Sequence, residues 1–217
     1  MDRAQLVAHL RSLRSGANAA GQRRFGIAPR GEHLGIAIPV LRQIARDHRR
    51  DHALALGLWA SGIHEARILA AYVDDPERVT GRQMDAWARD FDSWDVCDQV
   101  CGNLFDRTPH APAKAEAWSA RRAEFVKRAG FTLMACLAWH RDDLPDRLFL
   151  GFLPLIRREA ADGRNFVRKA ANWALRQIGK RSPALRRAAV AEARRIRRID
   201  AASARWIAAD ALRELGG

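Results

Sequence analysis

Lysine is scarce in this 217-residue chain, confined to positions 114, 127, 169 and 180 although Lys and Arg together number 38. The positive charge is therefore almost all arginine, whose planar guanidinium forks onto phosphate better than an ammonium does. Acidic residues are also short: 25 Asp and Glu leave a net charge of +13 and a pI near 11.2. That imbalance favours a polyanionic partner, nucleic acid before an acidic membrane surface. Cysteine is limited to Cys97, Cys101 and Cys136, an odd number set within apolar helical patterns. This argues for a reducing compartment and against a disulfide framework. Cys97 and Cys101 lie one helical turn apart, but no second Cys/His pair joins them at zinc spacing, so they read as small buried hydrophobes.

Long hydrophobic runs are missing as well. No apolar stretch approaches 18 residues, and no signal peptide precedes the first helical segment. A soluble, cytoplasmic, nucleoid-associated protein of a bacterium is expected, with no membrane partner. Walker A, GxGxxG, GxSxG and HExxH patterns are all absent, and the seven histidines show no metal spacing. Nucleotide hydrolysis, redox catalysis and metalloproteolysis find no support, and neither a cofactor nor a metal is expected. Asp90, Asp92, Asp95 and Asp98 put four carboxylates in nine residues, yet without EF-hand spacing or its turn glycine. A metal site there is rejected.

What is present is helical periodicity. A hydrophobic share of 48% suits a packed core, and no segment alternates with the period of two that a strand needs. The pattern predicts helices over 2–15, 39–50, 52–60, 63–73, 80–91, 94–107, 112–120, 123–140, 145–161, 165–180, 183–198 and 201–215. Pro39, Pro112, Pro145 and Pro183 suit first helical turns, Thr80 and Ser93 suit N-caps, and Gly179 suits a C-terminal stop. Residues 23–33 are the least regular and read as a loop or a short helix.

Short helices with short links suggest antiparallel pairs stacked as a solenoid. Internal similarity agrees: EFVKRA at 124–129 resembles NFVRKA at 165–170, and ALRQIG at 174–179 resembles ALRELG at 211–216. The offsets, 41 (166 − 125) and 37 (211 − 174), fall near the roughly 40-residue period of HEAT and armadillo units. The expected fold is all-α, a right-handed α-solenoid of antiparallel helix pairs with a concave basic face. One domain is expected over 1–217, with residues 1–33 as a helical cap.

Three helices carry candidate chemistry. In 165–181 the apolar residues Val167, Ala170, Ala171, Ala174, Leu175 and Ile178 share one arc. Trp173 falls outside it, on a stripe with Lys169, Arg176 and Lys180. An aromatic on a cationic face suits contact with a nucleic-acid backbone; a neighbouring helix covering the ring would serve equally. In 93–106, Asp98 lies at the edge of an apolar arc, four residues after Trp94 and on the same face. A carboxylate beside aromatic rings is partly desolvated, as in sites that manage charge, although an arginine from a neighbouring repeat could also claim it. In 123–140 the helix is apolar nearly all round, so Arg128 needs either a carboxylate or a phosphate as partner. The arginines at 186, 187, 194, 195, 197 and 198 read as a solvated basic face.

Taken together, these residues make the chain resemble the DNA alkylation repair family of HEAT-like DNA glycosylases, the AlkD-like enzymes, from about Leu34 to the C-terminus. The resemblance rests on Leu34-Gly35-Ile36 with Pro39 and Arg42-Gln43, on Ser93-Trp94-Asp95 with Asp98, on Val126-Lys127-Arg128-Ala129, and on Phe166 with Lys169-Ala170 and Trp173. It implies a surface that embraces double-stranded DNA and excises cationic N3- or N7-alkylated purines without a base pocket. Asp98 matches the catalytic carboxylate, Trp94 and Trp173 the two aromatics against the deoxyribose, and Arg128 a backbone-binding arginine. Arg42, Lys127, Lys169, Arg176 and Lys180 are the expected DNA contacts. Phe25 is a loose match to an N-terminal aromatic, and Ser93-Trp94 stands where some relatives carry two tryptophans.

The residues suit that chemistry. A cationic alkylpurine is already a good leaving group, so no general acid is required. A carboxylate can stabilise the oxocarbenium-like sugar and orient water, and indole faces favour developing positive charge. No lysine stands out for lyase chemistry, so the expected product is an abasic site. The alternatives are a non-catalytic HEAT-like module for bent or branched DNA and a scaffold for an acidic protein. A monomer is expected.

Overall fold

The computed structural model describes residues 2–216, and the described residues form helices and loops with no strand. The all-α expectation holds. The chain divides into two compact units, residues 1–108 and 109–217.

The first unit holds α1 (Arg3–Ser12), α2 (Gly16–Arg23), α3 (Ile38–Ala45), α4 (His52–Ala60), α5 (His64–Val73), α6 (Gly81–Asp90) and α7 (Trp94–Asn103). Its row α3, α5, α7 is continuous, each helix packing on the next, while α4 and α1 lie against α5. The α6 helix is fixed by aromatics: Trp87 stacks on Trp59 of α4 at 4.0 Å, with Phe91 on the edge of the same indole. The Trp59 ring N–H donates to Asp90 at 2.8 Å, which satisfies the polar end of an otherwise buried ring.

The second unit holds α8 (Ala111–Ser119), α9 (Glu124–His140), α10 (Asp146–Glu159), α11 (Asn165–Arg181), α12 (Pro183–Ile196) and α13 (Ala202–Leu215). Here α9, α11 and α13 form one row and α8, α10 and α12 the other. The sequence repeats lie on this first row. Phe125 of α9 and Phe166 of α11, matched by the 41-residue offset, meet with ring centroids 5.6 Å apart. One offset therefore spans one helix pair. Burial along nearly the whole of α9 follows from its all-round apolar sequence.

All twelve expected helices form, with ends shifted by a few residues. The 39–50 segment leaves α geometry after Ala45 for a 3-10 turn, Arg46–His48, and the 94–107 segment does so after Asn103. Pro39, Pro112 and Pro183 occupy first turns, whereas Pro145 is the N-cap residue of α10. The Thr80 hydroxyl caps α6. Ser93 stands at the N-cap of α7, but its hydroxyl is turned to the Asp95 carboxylate instead of the helix N–H groups.

One reading needs correction. Gly179 does not stop α11; it lies inside the helix and is buried. A Cβ there would meet the Leu215 methyls at 2.6 Å and Ala189 at 3.1 Å, so glycine lets α12 and α13 pack closely on α11 without displacing the leucine tip. The α2 helix was not legible, because GANAAGQR holds two glycines and buries only Ala19. Its position depends on Gly35, at φ +74°, where a Cβ would strike the Ser15 carbonyl at 2.3 Å. The loop after α2 thus runs directly against the helix and returns the chain to α5.

Candidate nucleic-acid interface

The α7 helix turns its buried side, Val96, Cys97, Val100 and Cys101, into the first unit. Its accessible side runs from Trp94 and Asp98 at one end to Gln99 and Asn103 at the other, all half-buried. The 3.6-residue period accounts for this division, since Trp94 and Asp98 are one turn apart. The Trp94 indole N–H donates to the Phe25 carbonyl at 3.0 Å, while the Phe25 side chain is 73% exposed. The segment after α2, irregular in sequence, is therefore what orients the indole. With the Phe25 side chain exposed and Trp94 and Asp98 half-buried, this end of α7 is an amphipathic surface rather than a core.

Beneath Trp94 lies a buried polar network. The Asp95 carboxylate accepts from Ser93 and pairs with His64 Nε2 of α5 at 2.9 Å. The His64 ring meets His33 edge-on at 4.9 Å, and His33 Nε2 lies 2.6 Å from Gln22 of α2. Next to His64, the buried Glu65 accepts the backbone N–H groups of Leu34, Gly35 and Ile36. No sequence spacing announces this cluster, because its members are 31 residues apart along the chain. The other acidic residues near α7 also face protein groups: Asp90 accepts from Trp59, and Asp92 accepts the Arg30 N–H.

The network carries a pH dependence. Burial disfavours the charged form of His64, but the hydrogen bond and charge of Asp95 outweigh it and raise the imidazole above 6.5. Burial likewise opposes ionised Asp95, and the His64 contact overcomes it, leaving the carboxyl below 3.8. Stability from Asp95 is thus present above 3.8 and lost as pH falls through its depressed value. Stability from His64 is present below 6.5 and lost as pH rises through its raised value. His33 opposes it: burial lowers its pKa, so its contribution fades as pH falls. Wild-type thermal stability is expected to decline more steeply above neutral pH than that of His64→Gln, and parallel melting curves across that range would refute the pairing.

In the second unit, Trp173 sits on α11 outside the apolar arc. Val167, Ala170, Ala171, Ala174, Leu175 and Ile178 are all buried, and Trp173 is only half-buried. Lys169, on the same stripe, is exposed and meets no carboxylate among the described residues. Arg176 and Lys180 do meet carboxylates: Arg176 lies 3.6 Å from Asp210 and also contacts Glu214, which pairs with Lys180 as well. Arg128 is 6% exposed and donates to the Phe166 carbonyl at 2.7 Å, tying α9 to the start of α11.

Lys127 departs from its expected role. Its ammonium is buried between Glu159 at 2.5 Å and Asp162 at 3.1 Å, and so belongs to the packing of the second unit. The six C-terminal arginines, by contrast, are all exposed, as a solvated basic face requires. Arg42 is exposed on α3. All three cysteines are buried and none forms a disulfide.

The sequence profile of the DNA alkylation repair enzyme family matches residues 6–215. The chain belongs to that family. One similar solved structure is described as representing a new family of proteins related to the HEAT-like repeat DNA glycosylases with affinity for branched DNA structures. The similarity has a TM-score of 0.81 at 19% identity and covers 100% of this chain and 97% of the other. The fold of this DNA alkylation repair family member is therefore HEAT-like, as the internal offsets imply. Among curated proteins, none matches the chain at the sequence level.

Proposed function

We propose that this member of the DNA alkylation repair enzyme family is a monofunctional, metal-independent glycosylase. Its substrate would be double-stranded DNA bearing cationic N3- or N7-alkylated purines. The observation that carries the reading is the accessible face of α7, where Asp98 stands one turn beyond an indole whose ring is oriented by the Phe25 carbonyl. A fixed carboxylate beside aromatic surface can stabilise a positively charged sugar as the base departs, and it needs no acid because the leaving purine is already cationic. Trp173, Lys169 and Arg42 supply ring and cationic surface outside the core, suited to sugar and phosphate. Arg128 is the proposed positioning residue for the backbone, and Arg176 and Lys180 would exchange their contacts with α13 for phosphates.

A second reading has support in the structural neighbour, whose described affinity is for branched DNA: a HEAT-like module that binds DNA without excising bases. Incubating the protein with duplex carrying N7-methylguanine and measuring released base separates the two. Release with formation of an abasic site supports the glycosylase. Tight, salt-sensitive binding without release supports the module.

Trp173→Ala provides a finer check. A half-buried ring outside the core costs little stability when removed, so the melting temperature is expected to shift by only a few degrees. Base release is expected to fall about tenfold or more, the loss of roughly 1.4 kcal/mol of transition-state contact. A stability loss of about 3 kcal/mol or more, typical of a large ring taken from a core, would make Trp173 a packing residue instead.

A further inference from the structure

The far end of α7 opens into a recess that the chemistry at Trp94 and Asp98 does not use. It has a volume of about 580 Å³ and is lined by five arginines: Arg42 of α3, Arg46 and Arg49 of the following turn, Arg50, and Arg107 beyond α7. Tyr72 of α5 and Asn103 of α7 line it as well. All five arginines are exposed. Among the described residues, Arg50 alone of the five meets a carboxylate, Glu77 at 3.7 Å, and both partners of that pair are exposed. The carboxylate in the lining, Asp74, is buried and already accepts from His52, Gln83 and the Asp75 N–H.

Five guanidiniums around one hollow sum to a positive potential that attracts an anion such as phosphate. The backbone adds to this. Arg50 adopts φ 61°, a left-handed conformation that non-glycine residues rarely hold, and it joins Arg46 and Arg49 in lining the recess. The polar floor is organised: the Tyr72 hydroxyl donates to Gln99, Asn103 donates to the Gln99 carbonyl at 2.8 Å, and the Arg42 guanidinium lies 5.8 Å from the Tyr72 ring centroid. At about 100° per residue, Gln99 and Asn103 lie roughly 140° and 180° round α7 from Trp94, at the opposite edge of the helix's accessible half.

We propose that this recess is a phosphate anchor that grips the DNA strand flanking the lesion. The inference rests on the reading of α7 given above. From Trp94 to Asn103 the helix rises roughly 14 Å at 1.5 Å per residue, so the gripped phosphates lie within about four steps of the lesion at 3.4 Å per step. The anchor sets the register of the duplex against Asp98 and contributes affinity without touching the reacting sugar. Arginine suits this role because its fork binds phosphate oxygens in pairs.

The test is the triple substitution Arg46→Ala, Arg49→Ala, Arg107→Ala, which removes exposed side chains without salt-bridge partners, alongside the same three positions changed to Lys. Binding is measured on an unreactive linear duplex at several salt concentrations, and base release on N7-methylguanine duplex at saturating protein. The alanine triple is expected to bind about tenfold or more weakly, with a salt slope lower by about two to three units, at roughly 0.9 per phosphate. The lysine triple is expected to recover most of both. Methylphosphonate replacement of single phosphates, out to about four steps on each side of the lesion, is expected to weaken wild type on one side only and to leave the alanine triple indifferent there. Unchanged affinity and salt slope in the alanine triple would overturn the anchor, even with base release intact. Failure of wild type to release any base would count against the glycosylase reading, while the binding arms still decide the recess.

Discussion

Asp98→Asn is expected to abolish release of N7-methylguanine while duplex affinity stays within about threefold of wild type. Asparagine keeps the shape and much of the hydrogen bonding of aspartate and removes only the charge. On the proposed mechanism the charge is what matters, because the departing base leaves positive charge on the sugar and the carboxylate lies where it develops. Removing one such electrostatic contact costs a factor of about 100 to 1,000, or roughly 3–4 kcal/mol. On the same reading, ground-state binding would rest instead on phosphate contacts by Arg42, Lys169 and other cations, which the substitution leaves in place. Single-turnover release at saturating protein isolates the chemical step, and a parallel competition assay measures binding. Release within about threefold of wild type would remove Asp98 from the reaction. Loss of binding in step with release would make Asp98 part of the fold or the grip, and the carboxylate mechanism would fall with it.

Some of the candidate residues were readable in the sequence because they follow helical periodicity. Trp173 breaks the apolar arc of its helix, and the structure leaves it half-buried while the arc is buried. Trp94 and Asp98 share a face by their spacing of four, and α7 presents both. The repeat offsets pointed to stacked helix pairs, and the matched segments lie on α9, α11 and α13, which pack as one row. What stayed hidden depends on contacts between distant segments. The Phe25 carbonyl reaches Trp94 from 69 residues away, and the His64–Asp95 pair joins α5 to α7. Neither leaves a periodic trace. The arginine recess gathers residues from α3 and its following turn and from beyond α7, elements far apart in the chain. Gly179 misled for a related reason: glycine signals a helix end by its conformational freedom, but here it serves close packing under Leu215.

Lys127 shows the same limit with the opposite sign. Beside Arg128 in a basic motif it reads as a DNA contact, whereas its ammonium is enclosed by Glu159 and Asp162, with a side chain only 10% accessible. Asp162 is held far below the ordinary carboxylate range, first by Arg164 and then by Lys127, and Glu159 is held low, against its own burial, by Lys127 and Arg158. Lys127→Met keeps the stem and deletes the charge, leaving two half-buried carboxylates short of a cation. Removing one partner of a buried pair costs about 3–5 kcal/mol, and the surviving Arg158 and Arg164 contacts place this case near 3. The melting temperature is expected to fall by roughly 10 °C, while the salt slope of DNA binding stays at the wild-type value. Adding Glu159→Leu is expected to restore part of the loss, since the second unneeded charge leaves the interior and Asp162 keeps Arg164. A variant of unchanged stability whose salt slope drops by about one unit would return Lys127 to the phosphate-binding set.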